Sequence, residues 1–148
     1  MKVHDVMSSR VVTARANTTV RELWKALFSK HINAIPVVDA NKRLVGIVTK
    51  EDLLKALYPD YQEYFVDVTA TSDFELMEQK VREMGSKKIT DIMCRRVIYT
   101  RSDMPIMRAL SRMIVRSLNQ LPVLSEENKV IGMVTKGDIF YALFSKQL

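Results

Sequence analysis

The 148 residues include 47% hydrophobic and 27% charged residues, one cysteine, four glycines and four prolines. That is enough apolar material for a core, and it excludes a disordered, collagen-like or disulfide-stapled chain. The net charge of +6 divides as +5 over residues 1–58, −3 over 59–88 and +4 over 89–148, so no basic arm favours nucleic acid as a partner. No apolar stretch reaches membrane-span length and Met1–Asp5 opens no signal peptide, so a cytoplasmic protein without a membrane span is expected.

Residues 3–57 align without a gap on residues 89–143, an offset of 86. Asp5/Asp91, Met7/Met93, Asn33/Asn119 and Pro36/Pro122 are identical pairs, and Gly46–Asp52 repeats as Gly132–Asp138. Each copy reads in the same order. Val11-Val12-Thr13 and Val97-Ile98-Tyr99 are β-rich runs. Val20, Leu23, Trp24, Leu27 and Phe28 fall on one helical face, as do Ile106, Ala109, Leu110, Met113 and Ile114. Thr19 with Glu22 has capping-box spacing, and Pro105 suits a first helical turn. Strands are expected at 35–38 and 44–48, then a second helix from Thr49, with a counterpart from Thr135.

The second helices are apolar on more than one side: Leu53, Leu54, Ala56, Leu57 and Tyr58, then Phe140–Phe144. A one-sided helix has no use for that surplus, so a homodimer interface is expected. Residues 59–88 form an acidic linker. In it Pro59-Asp60 ends a helix, Ser72 with Glu75 caps another, Phe74, Met77, Val81 and Met84 share a face, and Gly85 suits its end. The expected organisation is motif 1 at 1–58, linker at 59–88 and motif 2 at 89–148, together one α/β (α+β) unit. Each motif is β-α-β-β-α, and the two are related by a pseudo-twofold and packed through their sheets.

The motif with most chemical content is Gly-h-h-Thr-x-x-Asp, where h is apolar, present twice. A strand ends and a helix N-terminus begins there, offering unpaired N–H groups and partial positive charge. Asp52 can accept ribose hydroxyls and Thr49 can donate to an oxygen; the same spacing is also a plain capping box, which needs no ligand. His4, His31 and Cys94 lack the spacing of a metal or nucleophile site, Trp24 reads as a core residue, and no catalytic constellation appears.

DVMSSRVVT…HINAIPVVD…LVGIVTKEDL and DIMCRRVIYT…SLNQLPVL…VIGMVTKGDI resemble a tandem pair of cystathionine-β-synthase (CBS) domains, the Bateman module. The resemblance implies a non-catalytic regulatory module, often dimeric. Clefts between its motifs commonly bind an adenosine-containing ligand such as AMP, ADP, ATP or S-adenosylmethionine. It implies an effector protein controlled in trans by ligand-dependent rearrangement; a ligand-free structural or dimerising module is the alternative. Carried over by residue, it assigns ribose binding to Asp52 and Asp138 and the preceding hydroxyl to Thr49 and Thr135. The base pocket falls to Asn33, Ala34, Ile35 and Pro36 and to Asn119, Gln120, Leu121 and Pro122. Thr13 ends the first strand, and Tyr99 departs from the pattern there. Ala34 and Gln120 replace a phosphate-facing cation, which leaves Arg15, Lys50, Arg101 and Lys136 as candidates.

Overall fold

Capping decides where the first long helix starts. Thr19 Oγ1 accepts the Glu22 N–H at 3.2 Å and Glu22 Oε2 accepts the Thr19 N–H at 3.1 Å, a closed capping box. The computed structural model describes residues 1–57 and 71–145. In chain order these form α1 (Val3–Val6), α2 (Val20–Ser29), β1 (Ala34–Val38), β2 (Leu44–Thr49), α3 (Lys50–Leu57), α4 (Thr71–Met84), β3 (Thr100–Arg101), α5 (Ile106–Val115), β4 (Gln120–Leu124), β5 (Val130–Thr135) and α6 (Lys136–Ser145). The fold is a mixed α+β repeat. β1 pairs with β2, while β3 runs parallel to β4 and β4 antiparallel to β5.

Strand formation at the β-rich runs is shorter than expected. Val11–Thr13 and Val97–Tyr99 are irregular. Only the residues after them reach a partner: Ala14 bridges Val37, and Thr100, its counterpart, pairs with Val123. β propensity reflects fit to a neighbouring strand, and these runs have none alongside. Pro105 is the cap of α5 rather than its first residue. Ser72 falls inside α4; its side chain and those of Met77 and Leu57 lie outside the described residues, as do Tyr58, Pro59 and Asp60. Gly85 follows α4 with no positive φ, so it does not serve as a left-handed cap.

Two compact units divide the chain. The Asp52 unit comprises Ala14–Val37 and Gly46–Arg95; the Asp138 unit comprises Met1–Thr13, Val38–Val45 and Arg96–Leu148. In the Asp52 unit Val20, Leu23, Leu27, Ile35, Val37, Val48, Leu53 and Ile89 are buried. In the Asp138 unit the core gathers Val3, Ile106, Ala109, Leu110, Met113, Leu121, Val123, Val134 and Ile139.

The units do not follow the repeat, because each contains the opening segment of the other copy. In the Asp138 unit Val3 N–H donates to Met104 O at 2.8 Å, Ile106 N–H to Met1 O at 3.1 Å, and Ser8 and Met133 exchange bonds of 2.8 and 2.9 Å. In the Asp52 unit Ile89 N–H donates to Thr18 O at 3.0 Å, Val20 N–H to Lys87 O at 2.8 Å, and Cys94 and Ile47 exchange two bonds of 2.9 Å. Val3 and Ile89 occupy equivalent places and are both fully buried.

The motif glycines make this docking possible. A Cβ at Gly132 would lie 2.9 Å from Ser8 O and 2.7 Å from Met7 Sδ. One at Gly46 would lie 2.6 Å from Met93 Sδ and 3.2 Å from Cys94 O. Neither has positive φ, so close approach, not backbone freedom, requires glycine.

Candidate functional site

The two Thr-x-x-Asp motifs close identical boxes. Asp52 Oδ2 accepts the Thr49 N–H at 2.9 Å and Thr49 Oγ1 accepts the Asp52 N–H at 3.1 Å. Asp138 Oδ2 accepts the Thr135 N–H and Thr135 Oγ1 accepts the Asp138 N–H, both at 3.0 Å. All four residues are half-buried. Capping engages one oxygen of each carboxylate. A carboxylate has about four lone-pair positions, and among the described residues Oδ1 takes no bond in either aspartate. Capping and ligation are therefore compatible here.

The strand residues assigned to a base pocket start beside these caps. Lys50 N–H donates to Asn33 O at 2.9 Å and Lys136 N–H to Asn119 O at 3.0 Å. Gln120 sits opposite Thr135 in the β4/β5 register, Leu121 opposite Val134 and Pro122 opposite Met133. Each unit thus brings its own asparagine, threonine and aspartate to one strand-to-helix corner. Ala34, Ile35, Pro36, Leu121 and Pro122 are buried, with Leu121 inside the core cluster, so Ile35 and Leu121 contribute side chains chiefly to packing. Asn33 and Asn119 are exposed and Gln120 half-buried. Thr13 is exposed and belongs to the Asp138 unit.

The corners differ at the first-strand position. The Arg101 guanidinium lies 5.4 Å from the Tyr99 ring centroid, and Arg112 Nη1 donates to Tyr99 O. Arg101 also donates through Nη2 to Asn128 Oδ1 at 3.0 Å and through Nη1 to Ser125 O. It clamps the β4–β5 turn and is not available as a loose phosphate cation. Lys50 Nζ stands 4.6 Å over the Phe28 ring. Arg15 and Lys136 make no ion pair among the described residues.

Trp24 is not a core residue. It is half-buried, with its ring centroid 4.1 Å from that of Phe28, because Val20, Leu23 and Leu27 take the centre of the α2 face. Among the described residues no group of three or more His, Cys, Asp or Glu is placed to hold a metal, and no helix is long and apolar enough to cross a membrane.

A duplicated helix–strand–strand–helix pattern, each copy closing on a Thr/Asp-capped helix, defines a class of paired α+β modules. The CBS domain profile matches residues 3–59 and 89–145, and the chain belongs to that family as a tandem CBS pair. Its fold is similar to that of the CBS domain pair of protein MJ0100 in complex with 5′-methylthioadenosine and S-adenosyl-L-methionine. That likeness has a TM-score of 0.74 and 29% identity, covering 100% of this chain and 98% of the other. CBSX2 in complex with AMP is similar with a TM-score of 0.76 and 25% identity, covering 99% and 98%. The chain is also 30% identical to L-aspartate semialdehyde sulfurtransferase of Methanocaldococcus jannaschii over 93% of its own length but only 22% of that enzyme.

Proposed function

We propose that the protein is a regulatory module that binds an adenosine-containing ligand and controls a partner protein in trans. The observation that carries this reading is the pair of aspartates, each fixed by its cap at a helix N-terminus with one carboxylate oxygen unengaged among the described residues. A helix N-terminus favours an anionic ligand, and a carboxylate held there accepts from paired hydroxyls. The similar CBS pairs crystallised with AMP or with S-adenosylmethionine support the ligand class. Ligand acts by favouring the arrangement it binds better. The module itself performs no catalysis, and the cytoplasm is its setting.

The module works as a homodimer. On α6, Tyr141 and Phe144 are 77% and 63% exposed, and Phe140 stacks with Phe144. Leu54 of α3 is also exposed. Such surplus apolar surface calls for a second copy. Sedimentation should show a dimer that Tyr141→Glu with Phe144→Glu dissociates; a monomeric parent removes this part of the reading.

Thermal melting against AMP, ADP, ATP and S-adenosylmethionine tests the ligand. At 100 times its dissociation constant a true ligand adds about 2.7 kcal/mol. Asp52→Asn and Asp138→Asn keep an oxygen for the cap but lose the charge, so the responsible variant melts normally alone and loses the ligand shift. If no nucleotide shifts ligand-stripped protein, the structural-module reading replaces this one.

A further inference from the structure

The first turn of α2 and the last turn of α4 enclose a groove of about 270 Å³ within the Asp52 unit, lined by Val20, Arg21, Trp24, Val81, Arg82 and Gly85. Its walls are mostly hydrocarbon and indole, with two guanidinium-bearing side chains among them. Arg21 makes no ion pair among the described residues. Arg82 holds only Glu78, at 3.8 Å and with both side chains largely exposed, a pair that solvent weakens. Gly85 makes room for the Arg21 side chain, since a Cβ there would stand 2.9 Å from Nη2. The α4 carbonyls that would oppose an anion are occupied: Arg82 O accepts from Gly85 N–H at 3.2 Å, Glu83 O from Ser86 Oγ at 3.1 Å and Met84 O from Lys87 N–H at 3.1 Å.

We propose that this groove binds a small amphipathic anion, one aromatic ring with a carboxylate or phosphate group. The ring rests on Trp24, Val20 and Val81, and the anion is held by Arg21 and Arg82 through charge-assisted, bidentate-capable donors. The volume lies just under that of ordinary ligand pockets, which fits a single ring and excludes a helix. The site belongs to one unit only, because Met107 and Leu110 stand where the other copy has Arg21 and Trp24. It uses none of the residues assigned to the nucleoside and stands independently of that reading.

Trp24 is the only tryptophan, so its emission, excited at 295 nm, reports the groove. Full-length protein is titrated with benzoate, phenyl phosphate, inorganic phosphate and benzyl alcohol. The expected result is a saturable change with benzoate or phenyl phosphate, whichever binds tighter identifying the anion. Its dissociation constant should rise at least tenfold in Arg21→Gln and in Arg82→Gln and stay unchanged in Asp52→Asn. Because the Arg21 guanidinium carries no ion pair among the described residues, Arg21→Gln should melt as the parent does, which separates lost binding from lost fold. The proposal is overturned if neither aryl anion saturates, or if inorganic phosphate or benzyl alcohol binds as tightly as the aryl anions. It is also overturned if Arg21→Gln binds normally.

Discussion

The two units carry the same frame and different edges. The Thr/Asp boxes, the fully buried Val3 and Ile89 and the reciprocal backbone pairs of Ser8 with Met133 and Cys94 with Ile47 recur almost bond for bond. What surrounds the frame diverges. Arg101 clamps a turn with its guanidinium, while its counterpart Arg15 bonds Thr18 through its backbone N–H and carbonyl and makes no side-chain bond among the described residues. Thr100, fully buried with its hydroxyl unbonded among the described residues, replaces Ala14. The backbone bonds are the shared part, and the two corners differ in the side chains at their edges.

The largest effect that would break the equivalence comes from removing one opening segment. Deleting residues 1–8 strips Val3 from its core and frees the partner groups of Met104, Ile106 and Met133. Burial of a valine alone is worth about 1.5–3 kcal/mol, and the lost backbone bonds add to it. Denaturation should therefore lower the stability of the Asp138 unit by more than about 3 kcal/mol. The Trp24 signal, from the other unit, should move less than the far-UV signal; equal movement would show that the units melt as one.

Next come the motif glycines. At both sites a Cβ meets a flexible methionine thioether first, but behind it the Ser8 carbonyl lies 2.9 Å from a Cβ at Gly132 and the Cys94 carbonyl 3.2 Å from one at Gly46. Overpacking costs of about 1–3 kcal/mol are expected at Gly132 and less at Gly46, read as urea midpoints. Equal costs would mean the opening segments yield equally. Arg101→Gln should cost about 1–2 kcal/mol through the lost turn bonds, with Arg15→Gln near silent by the same assay. Thr49→Ala and Thr135→Ala should each cost about 1 kcal/mol; a clear inequality would show that one box is not simply a cap.

The smallest effect is electrostatic and confined to the β4–β5 turn. The backbone N–H of Glu127 and the Ser125 hydroxyl hold the Glu127 carboxyl below its ordinary value of 4.5. A depressed carboxylate stabilises the fold above its unfolded pKa, and that contribution fades as pH falls through the folded value. Glu127→Gln should thus lose slight stability at neutral pH and converge with the parent in acid.

What was legible from the sequence was local. Thr19 with Glu22 and Thr49 with Asp52 announce their caps because partner and donor lie within one turn. The buried positions of α2 and α5 lie on the faces that periodicity marks, though Phe28 and Ile114 on those faces are exposed. The illegible parts depend on which copy a segment meets. Met7 and Met93 look interchangeable in a gapless alignment, and nothing in their spacing says that each packs on the other copy's glycine. Likewise the shared face of Val20 and Trp24 hides that one lies in the core and the other walls a groove with α4. The Thr/Asp corner was readable as chemistry; that capping leaves a carboxylate oxygen over required the geometry.

The crossed opening segments imply something about ancestry. A protein holding a single copy of this repeat could satisfy its own glycine surface only by accepting the segment of a second molecule, a swapped dimer whose assembly depends on concentration. Joining two copies in one chain makes each donation intramolecular and holds donor near acceptor at an effective concentration on the order of millimolar. The linker therefore did more than append a second domain: it turned a partnership between molecules, vulnerable to dilution, into a property that every newly made chain carries alone.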